Sequence, residues 1–340
     1  MIIDTKDKIK IYSTGTYLPE EIIKSDDIFA DIKTEIKYGI PESWMSDQMG
    51  IIERRVAPDC SAPSSLAIPA AQEAIDNLTG VNPDHIDLVI FCGIERDQPE
   101  PATAHTIQNA LGLNARKVFD VANACYGFMD GIETASAYIS AGLARYALIV
   151  TGEISFKISR AISDHLKNAE VTLPRARQLL GGLSVGDAGG AVIVGNSDDG
   201  VSGFNFFNTS CDSRHVDKCF YKRKPDGSLE GQMLMAKIVA YGMRMHRGLM
   251  KEIMDRKGFR DYDWLITHQT GKRNFNAIAE MGVIDKQHMT KTYDTLGNVT
   301  TATFAHNFKL LCSGNIQKGS RVGGWFAGSG LTVGQFCYTT

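Results

Sequence analysis

The sequence predicts an α/β fold in two halves, on three observations. Short apolar runs rich in β-branched residues alternate with longer stretches of helical period. The theme recurs, more loosely, in the second part of the chain, and a turn-rich stretch from Gly195 to Gly203 (GNSDDGVSG) separates the two occurrences. The boundary is therefore set to give residues 1–195 and 196–340.

The elements follow in order. Ser64 to Asn77 opens with Ser and a preceding Pro and carries Leu66, Ala70 and Ala74, followed by Leu78, near one face of a 3.6-residue period, so it reads as a helix packed on a sheet. Ile86–Cys92, Lys117–Val121, Ala147–Thr151 and Ala191–Gly195 read as buried strands. In the second half the pattern gives a helix from Gly231 to Arg256, a strand from Trp264 to Thr267 and a helix from Lys272 to Met281. Phe304 to Asn315 and a strand pair within Arg321–Tyr338 complete it.

Composition bounds the function. A chain of 340 residues, 43% hydrophobic and 22% charged, buries a large core. Its net charge of -3 gives no general attraction for nucleic acid or anionic lipid. Charges at Asp4 and Lys8 interrupt the apolar stretch a signal peptide needs, and no run approaches the ~20 apolar residues of a membrane span, so the expected location is the cytoplasm, with no nucleic-acid or membrane partner. Seven scattered cysteines fit neither a disulfide framework nor paired zinc ligands.

Cys125 stands out from the others. The segment from Phe119 reads as strand, sharp turn and long helix, with Cys125 where the helix begins. There, free backbone N–H groups and the helix dipole lower a thiol's pKa from ~8.5 toward ~7. Gly127, Gly131, Ala135 and Ala137 allow that helix to lie close to other backbone. His268 ends the strand WLITH, where α/β sheets build sites, and Asn298 sits in the turn Leu-Gly-Asn-Val. Taken singly, the three read equally as a buried cysteine, a core histidine and a turn residue. His268 lies 143 and Asn298 173 residues after Cys125, near the spacing of papain-like proteases, but the Cys-Gly-Ser-Cys-Trp signature is missing and no secretory features accompany it.

With these three residues in view, the sequence resembles the β-ketoacyl-acyl-carrier-protein synthase III family, relatives of thiolases and chalcone synthases. The pieces are Trp44 with residues 50–57 (GIIERRVA), 82–90 (NPDHIDLVI), 120–128 (DVANACYGF), 186–191 (GDAGGA), 268–273 (HQTGKR), Gly297-Asn298 and 328–334 (GSGLTVG). The last lacks GxGxxG spacing, so no dinucleotide site is expected. The resemblance implies a thiolase-like five-layered αβαβα fold of two similar halves, a homodimer, and ping-pong acyl transfer with no metal or redox cofactor. It implies that Cys125 takes an acyl group from acyl-CoA or another acyl thioester. His268 and Asn298 would then donate to the thioester oxygen of a malonyl thioester as carbon dioxide leaves. The backbone N–H groups of Cys125 and Ser329 would form the oxyanion hole. Acyl carrier protein is the implied partner, met by Arg273 and Lys272, with Lys222, Arg223 and Lys224 as an extension of the basic patch or as an ordinary turn.

Departures from the family fall on substrate-handling positions. Gln48 replaces the arginine four residues after Trp44 that helps grip coenzyme A. Glu100 stands where an apolar residue contacts the dimer partner's acyl pocket, and a buried carboxylate there is costly. Gly271 replaces an asparagine and Ser329 a glycine, while residues 153–183 form a longer segment with a basic, helix-like piece from Arg160 to Arg177. These changes imply a specialised paralogue. The competing readings are a thiolase-fold enzyme that joins two acyl thioesters into a ketone- or quinolone-type product, and a non-catalytic partner subunit.

Overall fold

The computed structural model describes residues 2–5, 8–225, 229–258, 261–314 and 316–340. Two five-stranded sheets organise it. In the first the order is Ile9–Tyr17, Ala188–Asn196, Tyr146–Glu153, Ile86–Phe91, Lys117–Asp120; in the second it is Ile2–Asp4, Gly203–Cys211, Thr332–Thr339, Arg321–Gly328, Trp264–Thr267. Starting from Ile9–Tyr17 in one and Gly203–Cys211 in the other, both run through two antiparallel pairings and then a parallel one. The two halves therefore repeat one topology.

Five layers follow from alternation along the strands. Leu88 and Ile90 face one way, into a core with the helices Gly127–Ser140 and Thr303–Cys312, while Val89 and Phe91 face the other way, toward the helix Pro63–Asp76. The inner helices are covered from the other side by Phe326 and Phe336 of the second sheet. Phe304 joins the pieces, with ring centroids 5.5 Å from Phe128, 5.7 Å from Phe326 and 5.9 Å from Phe336. Burying such a ring is worth about 3 kcal/mol, so this seam between the sheets is well held. Beyond the second sheet lie the helices Met235–Lys257 and Lys272–Gly282, packed on Leu265 and Trp325. The order helix, sheet, helix, sheet, helix is the five-layered fold that the family resemblance implies.

The expected strands appear within three residues of their predicted ends, and the helix Pro63–Asp76 within one. Three differences appear. The helix expected from Gly231 starts at Met235, because Leu229–Met233 pairs antiparallel with Cys219–Arg223. Lys222 is consequently on a strand, not in a turn, and it faces Glu230 at 3.6 Å, which offsets the basic patch; the Arg223 side chain is outside the described residues. Gly203–Cys211, partly inside the stretch read as a boundary, is a strand of the second sheet, and Ile2–Asp4 closes that sheet's edge. The helix at Thr303–Cys312 ends before Asn315, which lies outside the described residues.

The 153–183 segment forms two helices, Phe156–Asn168 and Leu173–Leu179. Lys157, Arg160 and Lys167 on the first pair with Glu95, Asp59 and Asp31, so this basic piece docks on the first half. Among the described residues, no helix is long and apolar enough to cross a membrane.

Candidate active site

The strand Lys117–Asp120 ends beside Phe91, and the chain then turns through Asn123, Ala124 and Cys125 into the helix Gly127–Ser140. The turn is closed by the Tyr126 and Gly127 N–H groups, which donate to Asn123 and Ala124 carbonyls at 3.0 and 3.1 Å. It forces Ala124 to φ +46°, a conformation that costs an alanine on the order of 1 kcal/mol. The strain is localised next to the thiol.

Cys125 precedes the helix by two residues instead of beginning it, and its thiol is not the low-pKa group that the sequence suggests. Burial pushes it well above the ordinary cysteine range, with Cys219 and Glu153 adding to the rise, while a backbone hydrogen bond at Cys125 opposes it more weakly. Cys125 is partly exposed where it lines a cavity, and the desolvation of its sulfur leaves it a neutral thiol.

That cavity brings Cys125 together with His268, Asn298, Gly328 and Ser329. They arrive from separate parts of the chain, Gly328 and Ser329 together at the end of Arg321–Gly328. The His268 N–H donates to the Trp325 carbonyl at 2.9 Å, continuing the ladder past Trp264–Thr267. Its ring is buried, which holds its pKa down to about 4, and its Nδ1 has no partner. The imidazole is neutral near pH 7. Asn298 is pinned by its N–H to the Ser184 carbonyl at 2.9 Å, while its own carbonyl accepts the Gly186 N–H at 3.1 Å. Its Oδ1 accepts the Thr300 N–H at 3.1 Å. Since a backbone N–H only donates, this bond fixes the amide's orientation and leaves the Nδ2 hydrogens for the cavity. Gly328 lies so close to the cysteine turn that a Cβ there would be 2.8 Å from the Tyr126 nitrogen. Ser329 is thereby held against the thiol's turn.

The other expected positions form a second cluster, outside the cavity lining. Arg273 donates to Gln48 Oε1 at 2.7 Å, both exposed, and Trp44 stacks on Phe29 with centroids 6.2 Å apart. Lys272 packs beside Gly50. Gly271, at φ +121°, leaves room for no side chain, since a Cβ would meet the Met49 carbonyl oxygen at 2.8 Å. Its neighbours Thr270 and Asn274 do line the cavity, so the cluster borders it. Glu100, feared as a buried charge, is exposed on the single chain.

Several cavity residues were not read from sequence. Cys219 lines it, with its thiol raised to about 11 by burial and hydrogen-bonded to Ser329. Met235, Val239, Met243 and His246 recur at helical spacing, and that spacing was the available signal. Gln269, outside the cavity lining, was read only as part of the motif 268–273 and given no role. It donates to the Thr290 carbonyl and to Asn307, and accepts N–H bonds from Thr292 and Tyr293, tying the strand end before His268 to the loop that leads to Asn298. Glu153, wholly buried, accepts from Thr301 and from the Ile94 N–H, and burial raises its pKa to about 7.

Comparison with known proteins spans nearly the whole chain. The family model for 3-oxoacyl-[acyl-carrier-protein] synthase III matches residues 119–173, and that for its C-terminal part matches 256–339. β-Ketoacyl-[acyl-carrier-protein] synthase III of Rickettsia rickettsii (strain Sheila Smith) is 28% identical over 337 residues, covering 96% of this chain and 97% of the relative. The enzyme of the same name from Methylococcus capsulatus is 26% identical over 339 residues, covering 95% and 98%. Among solved structures, cerulenin-bound Xanthomonas campestris OleA superposes with a TM-score of 0.88 at 22% identity, over 98% of this chain and 97% of that one, a likeness of fold. The class is thus a condensing acyltransferase with a thiolase-like fold. Within that class, the chain is similar to the β-ketoacyl-acyl-carrier-protein synthase III enzymes, by both family models and relatives.

Proposed function

We propose that the protein catalyses a decarboxylating Claisen condensation. Cys125 Sγ attacks the carbonyl of an acyl thioester, and the thiol proton passes to the departing thiolate, leaving an acyl-cysteine. A malonyl group on acyl carrier protein then loses carbon dioxide. The resulting enolate carbon bonds to the acyl carbonyl and the cysteine sulfur departs, yielding a β-ketoacyl thioester. The enolate oxygen is held by His268 and the Asn298 amide, and the acyl oxygen by the Cys125 and Ser329 N–H groups.

One observation carries the reading: Asn298 is oriented by Thr300 to offer hydrogens, and a neutral His268 stands in the same cavity as Cys125. Decarboxylation needs donors for the developing oxyanion and no strong base, and a buried imidazole with pKa near 4 is a poor base but a good neutral donor. Around this core we place a cytoplasmic homodimer, without metal or redox cofactor, with its halves meeting between residues 195 and 196. Docking of the carrier protein falls to Arg273 and Lys272. The Gln48–Arg273 pair supports the specialised paralogue, because it occupies the position where coenzyme A would otherwise meet an arginine.

Glu100 favours a second reading, the joining of two acyl thioesters without loss of carbon dioxide. That reaction must remove a carbon-bound proton, which the neutral His268 does poorly, and an exposed carboxylate at a position facing the dimer partner's acyl pocket would supply the base.

Intact-protein mass spectrometry with a panel of acyl-CoAs and acyl carrier proteins, followed by product analysis, tests both. An acyl mass gain mapping to Cys125 and a β-ketoacyl product with carbon dioxide release are expected. Product without carbon dioxide selects the second reading. Unchanged turnover by a complex with an active relative when this chain carries Cys125→Ala would reject both and leave a non-catalytic partner subunit.

A further inference from the structure

The cavity has a polar far end that condensation at Cys125 does not use. Most of its wall away from the thiol is apolar: Met233, Met235, Ile238, Val239, Met243 and Ile278. Against this wall stand His246 and Trp325, both lining the cavity, 3% and 1% exposed, with rings stacked at 5.4 Å.

Their hydrogen-bonding states follow from their neighbours. Gln335 Nε2 donates to the His246 backbone carbonyl at 3.1 Å, which fixes the direction of that amide, because a carbonyl only accepts. The same NH2 group lies 3.4 Å from His246 Nδ1, so Nδ1 is the acceptor and Nε2 carries the hydrogen. Burial keeps the ring neutral, with its pKa held down to about 3. The Trp325 indole N–H is buried and has no partner. Two uncharged donors therefore stand in a mostly apolar wall, and the unmet Trp325 N–H is costly there.

Two rulers give their distance from the thiol. Trp325 and Gly328 lie on one strand, about 10 Å apart at the usual rise, and Gly328 packs on the turn of Cys125. Met235 and His246 lie on one helix, roughly 16 Å apart, and Met233, just before it, pairs with Cys219 beside Cys125.

We propose that His246 and Trp325 form a subsite for an uncharged acceptor oxygen, hydroxyl or keto, carried on the acyl chain at a distance from the thioester. This rests on the acyl-Cys125 reading above. A carboxylate is excluded, because both donors are neutral and a bare charge in this wall would go uncompensated. The subsite would select an oxygenated chain over a plain one.

The test measures acylation of Cys125, by intact mass and by kcat/KM, with pairs of acyl-CoAs of equal length, one plain and one bearing a distal hydroxyl or keto group at varied positions. The wild type is expected to prefer one oxygenated isomer about tenfold. His246→Phe and Trp325→Phe should each remove most of that preference, and His246→Gln, which keeps a donor, should retain part of it. Equal rates for plain and oxygenated donors in the wild type overturn the subsite while leaving the condensing reading intact. An equal loss for both donors in His246→Phe also overturns it, because the contact would then be to a part common to both, such as the pantetheine arm. No acyl mass on Cys125 from any donor removes the condensing reading and the subsite with it.

Discussion

The amide of Asn298 and the backbone N–H of Thr300 are joined by a 3.1 Å hydrogen bond that decides which end of the amide the cavity sees. Asn298→Asp keeps that bond through a carboxylate oxygen and removes the donor. We expect condensation to fall by about 10²–10³, the cost of one oxyanion donor, while acylation of Cys125 persists. Rapid-quench measurement of acyl-enzyme alongside product formation checks the split. Loss of both steps together would show that Asn298 serves the structure of the cavity instead.

The thiol of Cys125 should behave as a desolvated cysteine. Because burial raises its pKa, alkylation by iodoacetamide should be slow at pH 7 and should still be climbing beyond pH 9. A labelling rate that levels off below pH 8 at Cys125, located by peptide mapping, would restore the low-pKa thiolate.

That reversal shows where reading the sequence stops. Cys125, His268 and Asn298 were legible because each ends a recognisable strand or sits in a turn, signals that a few neighbouring residues carry. The alternation of strands and helices was legible for the same reason. Part of the rise in the Cys125 pKa comes from Cys219, contributed from nearly a hundred residues away, and no local pattern reports such a neighbour. The same holds for the wall at His246 and Trp325, and for the pairing of Cys219–Arg223 with Leu229–Met233, which looked like the start of a helix.

Glu153 makes stability depend on pH. Its carboxyl rises from an ordinary value of 4.5 to about 7 in the folded protein, so between those values the folded state holds a proton that the unfolded state has released. Its contribution is full below about pH 4.5 and is lost as pH rises through 7, an effect on the order of 3 kcal/mol. Glu133, also raised to about 7 by burial, acts in the same direction. Thermal melts should therefore show Tm falling from pH 5 to pH 8, and Glu153→Gln should flatten part of that slope. An unchanged slope in the variant would assign the effect elsewhere.

Gly271 is a backbone requirement more than a missing side chain. Reintroducing the family's asparagine, Gly271→Asn, places a Cβ against the Met49 carbonyl at a φ that side chains rarely adopt, and should cost about 1–3 kcal/mol. Calorimetry is expected to show a lower Tm, with poorer, not better, use of acyl-CoA. Gain of affinity at unchanged Tm would contradict this.

The strand pairing Ile2 with Asn208 sets an order of events during synthesis. Residues 2–4 leave the ribosome roughly 200 residues before their partner strand exists, so they must wait while the sheet containing Ile9–Tyr17 forms behind them. The cavity is finished later still, since Gly328 and Ser329 arrive after every other residue that lines it. A nascent chain halted before that last strand pair would display the cysteine turn with no opposing wall, which makes translation pauses near residue 320 the moment at which chaperones have most to shield.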